Sequence, residues 1–166
     1  MHLLPVNSLT AATFAFYGDV IEVPDDTRAG ISINDGTAIR YDALSRIDAG
    51  ADNGQAAISL FVAQARTMPH VLTEFECHPL GSQAFMPLDG VPYLIAVAQA
   101  DANSGTLKPE VFLARPDQGI NLHKGVWHHP LLALHKTCRF LVVDRVGAGD
   151  NLQLQAVQHL NWQVTL

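Results

Sequence analysis

Ala84-Phe85-Met86-Pro87-Leu88-Asp89-Gly90-Val91-Pro92-Tyr93-Leu94-Ile95-Ala96-Val97-Ala98 holds two apolar runs on either side of an Asp89-Gly90 turn. Ala84 to Leu88 is short, and Tyr93 to Ala98 is apolar at nearly every position, the pattern of buried strands joined by a tight connection. The same grammar continues in both directions. Upstream, Ala56 to Ala63 reads as a buried strand around Ile58, Leu60, Phe61 and Val62, and Val71 to His78 alternates in type. Downstream come Val111 to Ala114, Leu131 to Leu134 and Phe140 to Asp144. Turn formers separate them at Asp52-Asn53-Gly54, Pro79-Leu80-Gly81, Asp101 to Gly105 and Pro116 to Gly119. One short helix is expected over Ser8 to Ala15, with Ser8 as N-cap and Gly18 past its end; no later stretch sustains a 3.6-residue period. Many short strands without intervening helices specify an all-β sandwich or barrel, not a parallel α/β sheet. No repeat or composition shift marks a linker, so residues 1–166 are expected to form one domain.

Composition narrows the function classes. The chain is 48% hydrophobic and only 16% charged, which excludes general disorder and suggests that a second copy covers part of the surface. Net charge is −6, from 10 basic and 16 acidic residues, and Lys and Arg never run together. The electrostatic footprint of a nucleic-acid binder is missing. The first residues, Met1 to Val6, carry neither a basic leader nor an apolar stretch of signal length, and runs such as Phe140 to Val143 are far below spanning length. Cys77 and Cys138 form no C-x-x-C pair. A cytoplasmic protein with no nucleic-acid and no membrane partner is expected.

Polar residues that call for an explanation fall in two places. In Glu74-Phe75-Glu76-Cys77-His78, strand alternation puts Glu74, Glu76 and His78 on one face and Phe75 and Cys77 on the other. Two carboxylates and an imidazole facing a barrel interior are costly unless they bind something or one another. The second place is Asn121-Leu122-His123-Lys124-Gly125-Val126-Trp127-His128-His129-Pro130, which holds three of the eight histidines. Histidine is the commonest metal ligand and general base. Adjacent His128 and His129 point apart if extended, so one of them at most faces a given site. Any one of these residues alone reads more simply as a core-edge histidine bonded to backbone or as part of a solvated strand face; their joint spacing shifts that balance.

Two resemblances join the clusters. Glu76-x-His78, then Gln83 and Gly90, is spaced like the first cupin motif, and His123-x-Gly125-x-x-His128 like the second. Glu76, Gln83, His123 and Leu132 depart from the residues usual at their motif positions. More specifically, Phe16 to Ile21, Ile33 to Gly36 with Arg40-Tyr41, Glu74 to Gln83 with Phe85 and Pro87, Trp127-His128-His129-Pro130, and Phe140 to Arg145 resemble the ureidoglycolate lyase family. The resemblance implies a cupin-type double-stranded β-helix, a homodimer, and a role in releasing nitrogen from allantoin-derived ureidoglycolate. It also implies a divalent metal, nickel being the one associated with the family.

On that resemblance, Glu76, His78, Gln83 and His128 map onto metal ligands, with the Gln83 amide also suited to bonding substrate. Glu74 and His123 flank them as candidate general acid and base. Arg40 or Lys124 is the candidate partner for the substrate carboxylate. Metal chelation of the substrate carboxylate and hydroxyl would then lower the hydroxyl pKa as urea departs, leaving glyoxylate. The competing reading is a cupin that binds or senses a small metabolite without turning it over. A metal-dependent isomerase or dioxygenase on the same fold rests on analogy alone.

Overall fold

A strand that is apolar at nearly every position needs cover on both faces. The computed structural model, which describes residues 2–166, provides that cover for residues 93–98 of the strand Tyr93–Ala100. In chain order the first strands are β1 (His2–Leu3), β2 (Val6–Ser8), β3 (Gly18–Ile21), β4 (Ile31–Ile33), β5 (Ala38–Arg40) and β6 (Gln55–Ala63). Then come β7 (His70–Val71), β8 (Glu74–Cys77), β9 (Gln83–Pro87), β10 (Tyr93–Ala100), β11 (Leu107–Ala114) and β12 (Gly119–Leu122). The last are β13 (Trp127–His128), β14 (Leu132–Ala133), β15 (Cys138–Val146), β16 (Gln153–Ala156) and β17 (Trp162–Val164).

These strands form two main sheets. One runs β16-β8-β13-β10-β11-β2, with β14 also on β10; the other runs β3-β12-β9-β15-β6. Between them lies a core containing Phe14, Tyr17, Tyr93, Ile95, Val97, Phe112, Ile120 and Phe140. Tyr93 meets Phe140 edge-on at 5.0 Å between centroids, and its buried hydroxyl donates to the Gln118 carbonyl oxygen. The alternate residues of β10, Leu94, Ala96 and Ala98, join a second core with Leu72, Phe75, Val111, Leu132 and Val164. A three-stranded sheet, β1-β17-β7, contributes to it. This is the all-β, cupin-type architecture expected.

Several expected elements differ in detail. The helix α1 is only Ala11–Phe14, and Thr10, not Ser8, caps it: Thr10 Oγ1 accepts from the Thr13 N–H and Thr13 Oγ1 from the Thr10 N–H. Ser8 belongs instead to β2, pairing in parallel with Leu113 of β11. Val71 to His78 is not one strand. Val71 pairs with β17 and Glu74–Cys77 with β13 and β16, so the chain changes sheets at Leu72-Thr73.

β6 is the main correction. It is a strand, as expected, but not a buried one: Ile58, Leu60 and Val62 are 73%, 65% and 66% exposed. It lies at the edge of its sheet with only β15 beside it, Leu60 opposite Leu141 and Ile58 opposite Val143. An apolar strand sequence cannot by itself tell a buried strand from one that nothing in its own chain covers.

Close strand packing at Gly18 gives a test. A Cβ there would sit 2.2 Å from the Asn121 carbonyl oxygen, whereas a Cβ on Gly50 meets nothing within 4 Å. Gly50 also has an ordinary φ of −81°. Gly18→Ala is expected to cost about 2 kcal/mol or more of stability, and Gly50→Ala to be neutral or to stabilise by up to about 1 kcal/mol. Urea denaturation of the two variants measures both.

Candidate metal and substrate site

Strand register builds the site. β8 and β13 pair antiparallel with His128 opposite Glu76, and β10 flanks β13 on its other side with Val97 opposite His128. Phe75 is packed into the outer core, so alternation turns Glu74 and Glu76 toward the inner face. Between β12 and β13 the chain turns through Gly125, whose φ of +81° favours glycine. Its N–H donates to the His78 carbonyl oxygen and ties that turn to the end of β8.

Ligand atoms of Glu76, His78 and His128 lie within 4.8 Å of one another. His128 Nε2 is 3.2 Å from Glu76 Oε1 and 3.2 Å from Gln83 Oε1, while its Nδ1 is 3.0 Å from the Val126 carbonyl oxygen. All three neighbours are acceptors, and a neutral imidazole has one N–H. The ring is satisfied either as an imidazolium or by a cation among the converging lone pairs. For His78 the protonation alternative does not help. Its Nδ1–H donates to the Asn151 carbonyl oxygen at 2.7 Å, which leaves Nε2 as a bare lone pair, buried and without a partner among the described residues. Imidazoles held by backbone carbonyls at one nitrogen, with the other turned to a shared point, are oriented as metal ligands are.

Electrostatics favour the same use. The His128 hydrogen bond, above all, holds Glu76 below the usual carboxylate range against the opposing effect of burial, and the neighbouring His128 and His78 add to it. Glu76 therefore remains a carboxylate at neutral pH. Two imidazole nitrogens, that carboxylate and the Gln83 oxygen suit a divalent first-row ion.

Glu76 and His128 line a cavity of ≈390 Å³ whose walls include Phe61, Phe85, Ile95 and Leu122. Its other polar residues are Arg66 and His129. Burial, first of all, pulls the His129 imidazole down to about 4, so it stays neutral. Its ring packs edge-on against Phe75 and His70, not against the partners of His128.

The remaining expected residues lie apart from the cavity. Glu74 is half-buried at the start of β8, two residues before Glu76, and does not line it. His123 is half-exposed on the turn after β12, with Nε2 3.7 Å from Asp19 Oδ1. Lys124 pairs with Asp48 at 2.9 Å, and Arg40, on the β4–β5 hairpin, pairs with Asp42 at 2.8 Å. Gln83, expected among the metal ligands, turns its carbonyl oxygen toward His128 and its amide nitrogen toward Asp144, 3.4 Å away. Arg66 escaped the sequence reading because Gln64-Ala65-Arg66-Thr67 belongs to no motif and to no polar cluster.

Fold and site together define a class: an all-β cupin-type protein with a two-histidine, one-carboxylate set fit for a divalent metal beside a small, largely apolar cavity. Comparison with known proteins narrows the class to one family. The family model described as ureidoglycolate lyase matches residues 1–165. A ureidoglycolate lyase of Rhodobacter capsulatus is 48% identical over 155 residues, covering 92% of each chain. One of Brucella melitensis is 47% identical over 150 residues, covering 90% of this chain and 87% of its own. Among solved structures, a 3,4-ketoisomerase from Helicobacter canadensis is similar at 15% identity and a TM-score of 0.42, covering 86% of this chain and 92% of its own. The chain belongs to the ureidoglycolate lyase family.

The converging donors predict a metal site that can be measured without turnover. Titration calorimetry with Ni²⁺, Co²⁺ or Zn²⁺ is expected to give about one site per chain. His78→Ala and His128→Ala should each weaken it on the order of tenfold or more, since even the partners behind metal ligands are worth that much. Unchanged affinity in both variants contradicts the site.

Proposed function

We propose that the site cleaves ureidoglycolate to glyoxylate and urea, as a carbon–nitrogen lyase of allantoin (purine) degradation. The observation that carries this reading is the convergence of His78 Nε2, His128 Nε2 and Glu76 beside a small cavity, in a chain of this family. The reaction removes the proton of the C2 hydroxyl, forms the C2 carbonyl, breaks the C2–N bond and returns a proton to the departing nitrogen. No water is consumed. A divalent ion held by Glu76, His78 and His128, nickel on our reading, supplies Lewis acidity toward the substrate hydroxyl when bound.

The protein's own contributions follow from the geometry. Val126 and Asn151 carbonyls orient the two imidazoles, and Phe61, Phe85, Ile95 and Leu122 limit water around the substrate. Glu74 and His123 are the acid–base candidates of this reading. Glu74 shares the inner face of β8 with Glu76 and has no ion-pair partner among the described residues, while His123 stands beside Asp19 on the turn after β12. The Gln83 amide is placed to hold either the metal or the substrate.

Neither cysteine offers a good nucleophile for the alternative reaction, hydrolysis at the ureido carbonyl. Cys77 and Cys138 are buried, and burial, first of all, raises both thiols and keeps them protonated. Buried free thiols also agree with a cytoplasmic enzyme, and no helix among the described residues is long and apolar enough to cross a membrane. Parallel pairing of β1 with β17 brings the two ends of the chain together, which supports treating residues 1–166 as one domain. The reading includes a homodimer. The exposed row Ile58, Leu60 and Val62 on an edge strand supports it, because a long apolar edge left bare invites uncontrolled pairing.

Three measurements follow. Coupled assays on one reaction should find urea and glyoxylate in equal amounts and no ammonia; stoichiometric ammonia without urea refutes the lyase reading. Glu74→Gln should lower kcat by about 10²–10⁴-fold with metal content intact, whereas a change confined to KM assigns Glu74 to substrate binding. Sedimentation equilibrium at micromolar concentration should give the mass of two chains for the wild type and of one for Ile58→Asp/Leu60→Asp. A wild type with the mass of one chain rules out the dimer.

A further inference from the structure

A substrate carboxylate is matched best by a cation with a free fork, and most cations of this chain are already engaged. Arg28, Arg40, Arg115 and Arg139 lie in ion pairs with Asp26, Asp42, Glu22 and Asp89. Lys108 and Lys124 pair with Asp101 and Asp48, and the Arg145 guanidinium donates to the Ala51 and Ala148 carbonyl oxygens. Among the described residues Arg66 has no such partner, and it is the one Lys or Arg that borders the cavity holding Glu76 and His128. Its main chain is fixed: the Arg66 N–H donates to the Ala133 carbonyl oxygen at 2.9 Å, and Ala65 bridges to Ala133 beside β14. A pinned backbone thus presents a side chain with no internal task.

From this placement we infer that Arg66 binds the carboxylate of the substrate, and so selects a small α-hydroxy acid over a neutral ureido compound. The inference rests on the lyase reading for the identity of the substrate. Chemistry favours arginine here, since the guanidinium presents two parallel N–H groups that match the two oxygens of a carboxylate. The neighbouring residues do not compete for that charge. His70 and His129 pack edge-on against each other and bring no carboxylate to that guanidinium. Glu76 is the carboxylate lining the same cavity, and its Oε1 is turned to His128. Arg66 on the cavity that Glu76 and His128 also line would hold the acid end of the substrate while leaving C2 and its nitrogen toward those two residues.

Arg66 is exposed and makes no side-chain hydrogen bond within the described chain, so Arg66→Gln should fold normally. Steady-state kinetics are expected to show KM for ureidoglycolate raised about 10- to 100-fold in Arg66→Gln, with kcat within about threefold of wild type. Arg66→Lys should recover part of the loss, a point charge replacing the fork. Inhibition by glyoxylate, which keeps the carboxylate, should weaken by a similar factor, and inhibition by urea, which lacks it, should not change. Unchanged KM and unchanged glyoxylate inhibition in Arg66→Gln overturn the inference, as does equal weakening of glyoxylate and urea. A wild type that releases no urea is a failure of the lyase reading instead. Calorimetric binding of glyoxylate then still decides on Arg66: weaker binding to Arg66→Gln supports the assignment, while equal binding, or no binding to wild type, overturns it.

Discussion

An imidazole and a carboxylate held together at the wall of an apolar cavity must be reconciled electrically, and in this protein the pairing of His128 with Glu76 is that requirement. One antiparallel register, β13 on β8, puts the two opposite each other, 3.2 Å apart. Everything else at the site serves the pair. Val126 takes the proton-bearing side of His128, Asn151 does the same for His78, and Gln83 adds an oxygen at the same nitrogen. Leaving such groups without partners would cost several kcal/mol, which is why a fold that tolerates the arrangement points to a charge that belongs there.

The two layers of cover around β10 make that register dependable. Tyr93, Ile95 and Val97 face one core and Leu94, Ala96 and Ala98 the other, so a slip by one residue would exchange large side chains for small ones across both. With β10 fixed, β13 beside it is fixed, and through β13 so is β8. Rigid strands thus set the ligand geometry, while the cation assigned to substrate stands on the short connection after β6. On the proposed reading, that division puts the candidate metal ligands on or beside paired strands and substrate selection on a connection where sequence can vary more cheaply.

Period-two alternation is a local property, and what depended on it was legible in the sequence. Glu76 and Phe75 do fall on opposite faces, and His128 and His129 do turn their rings apart. Spacing within each polar cluster was likewise enough to bring Glu76, His78 and His128 together on paper, once a family resemblance tied two distant segments. What failed depended on which element covers which. Nothing in Ala56 to Ala63 distinguishes an edge strand from a central one, since an apolar strand looks the same whether its partner layer is in its own chain or elsewhere. Charge pairing was also invisible: Asp42 sits two residues from Arg40 in sequence, but Asp48 is far from Lys124, and only the fold commits those cations elsewhere. Arg66 went unseen for the complementary reason, because its significance lies in the partners it lacks.

The proposed lyase chemistry depends on the metal set, and an anomalous-diffraction map of crystals loaded with Ni²⁺ tests it most directly. It predicts a single strong peak about 2.0–2.2 Å from His78 Nε2, His128 Nε2 and a Glu76 carboxylate oxygen, the usual range for such donors. A peak that touches neither imidazole, or ion bound only at surface carboxylates, would contradict it.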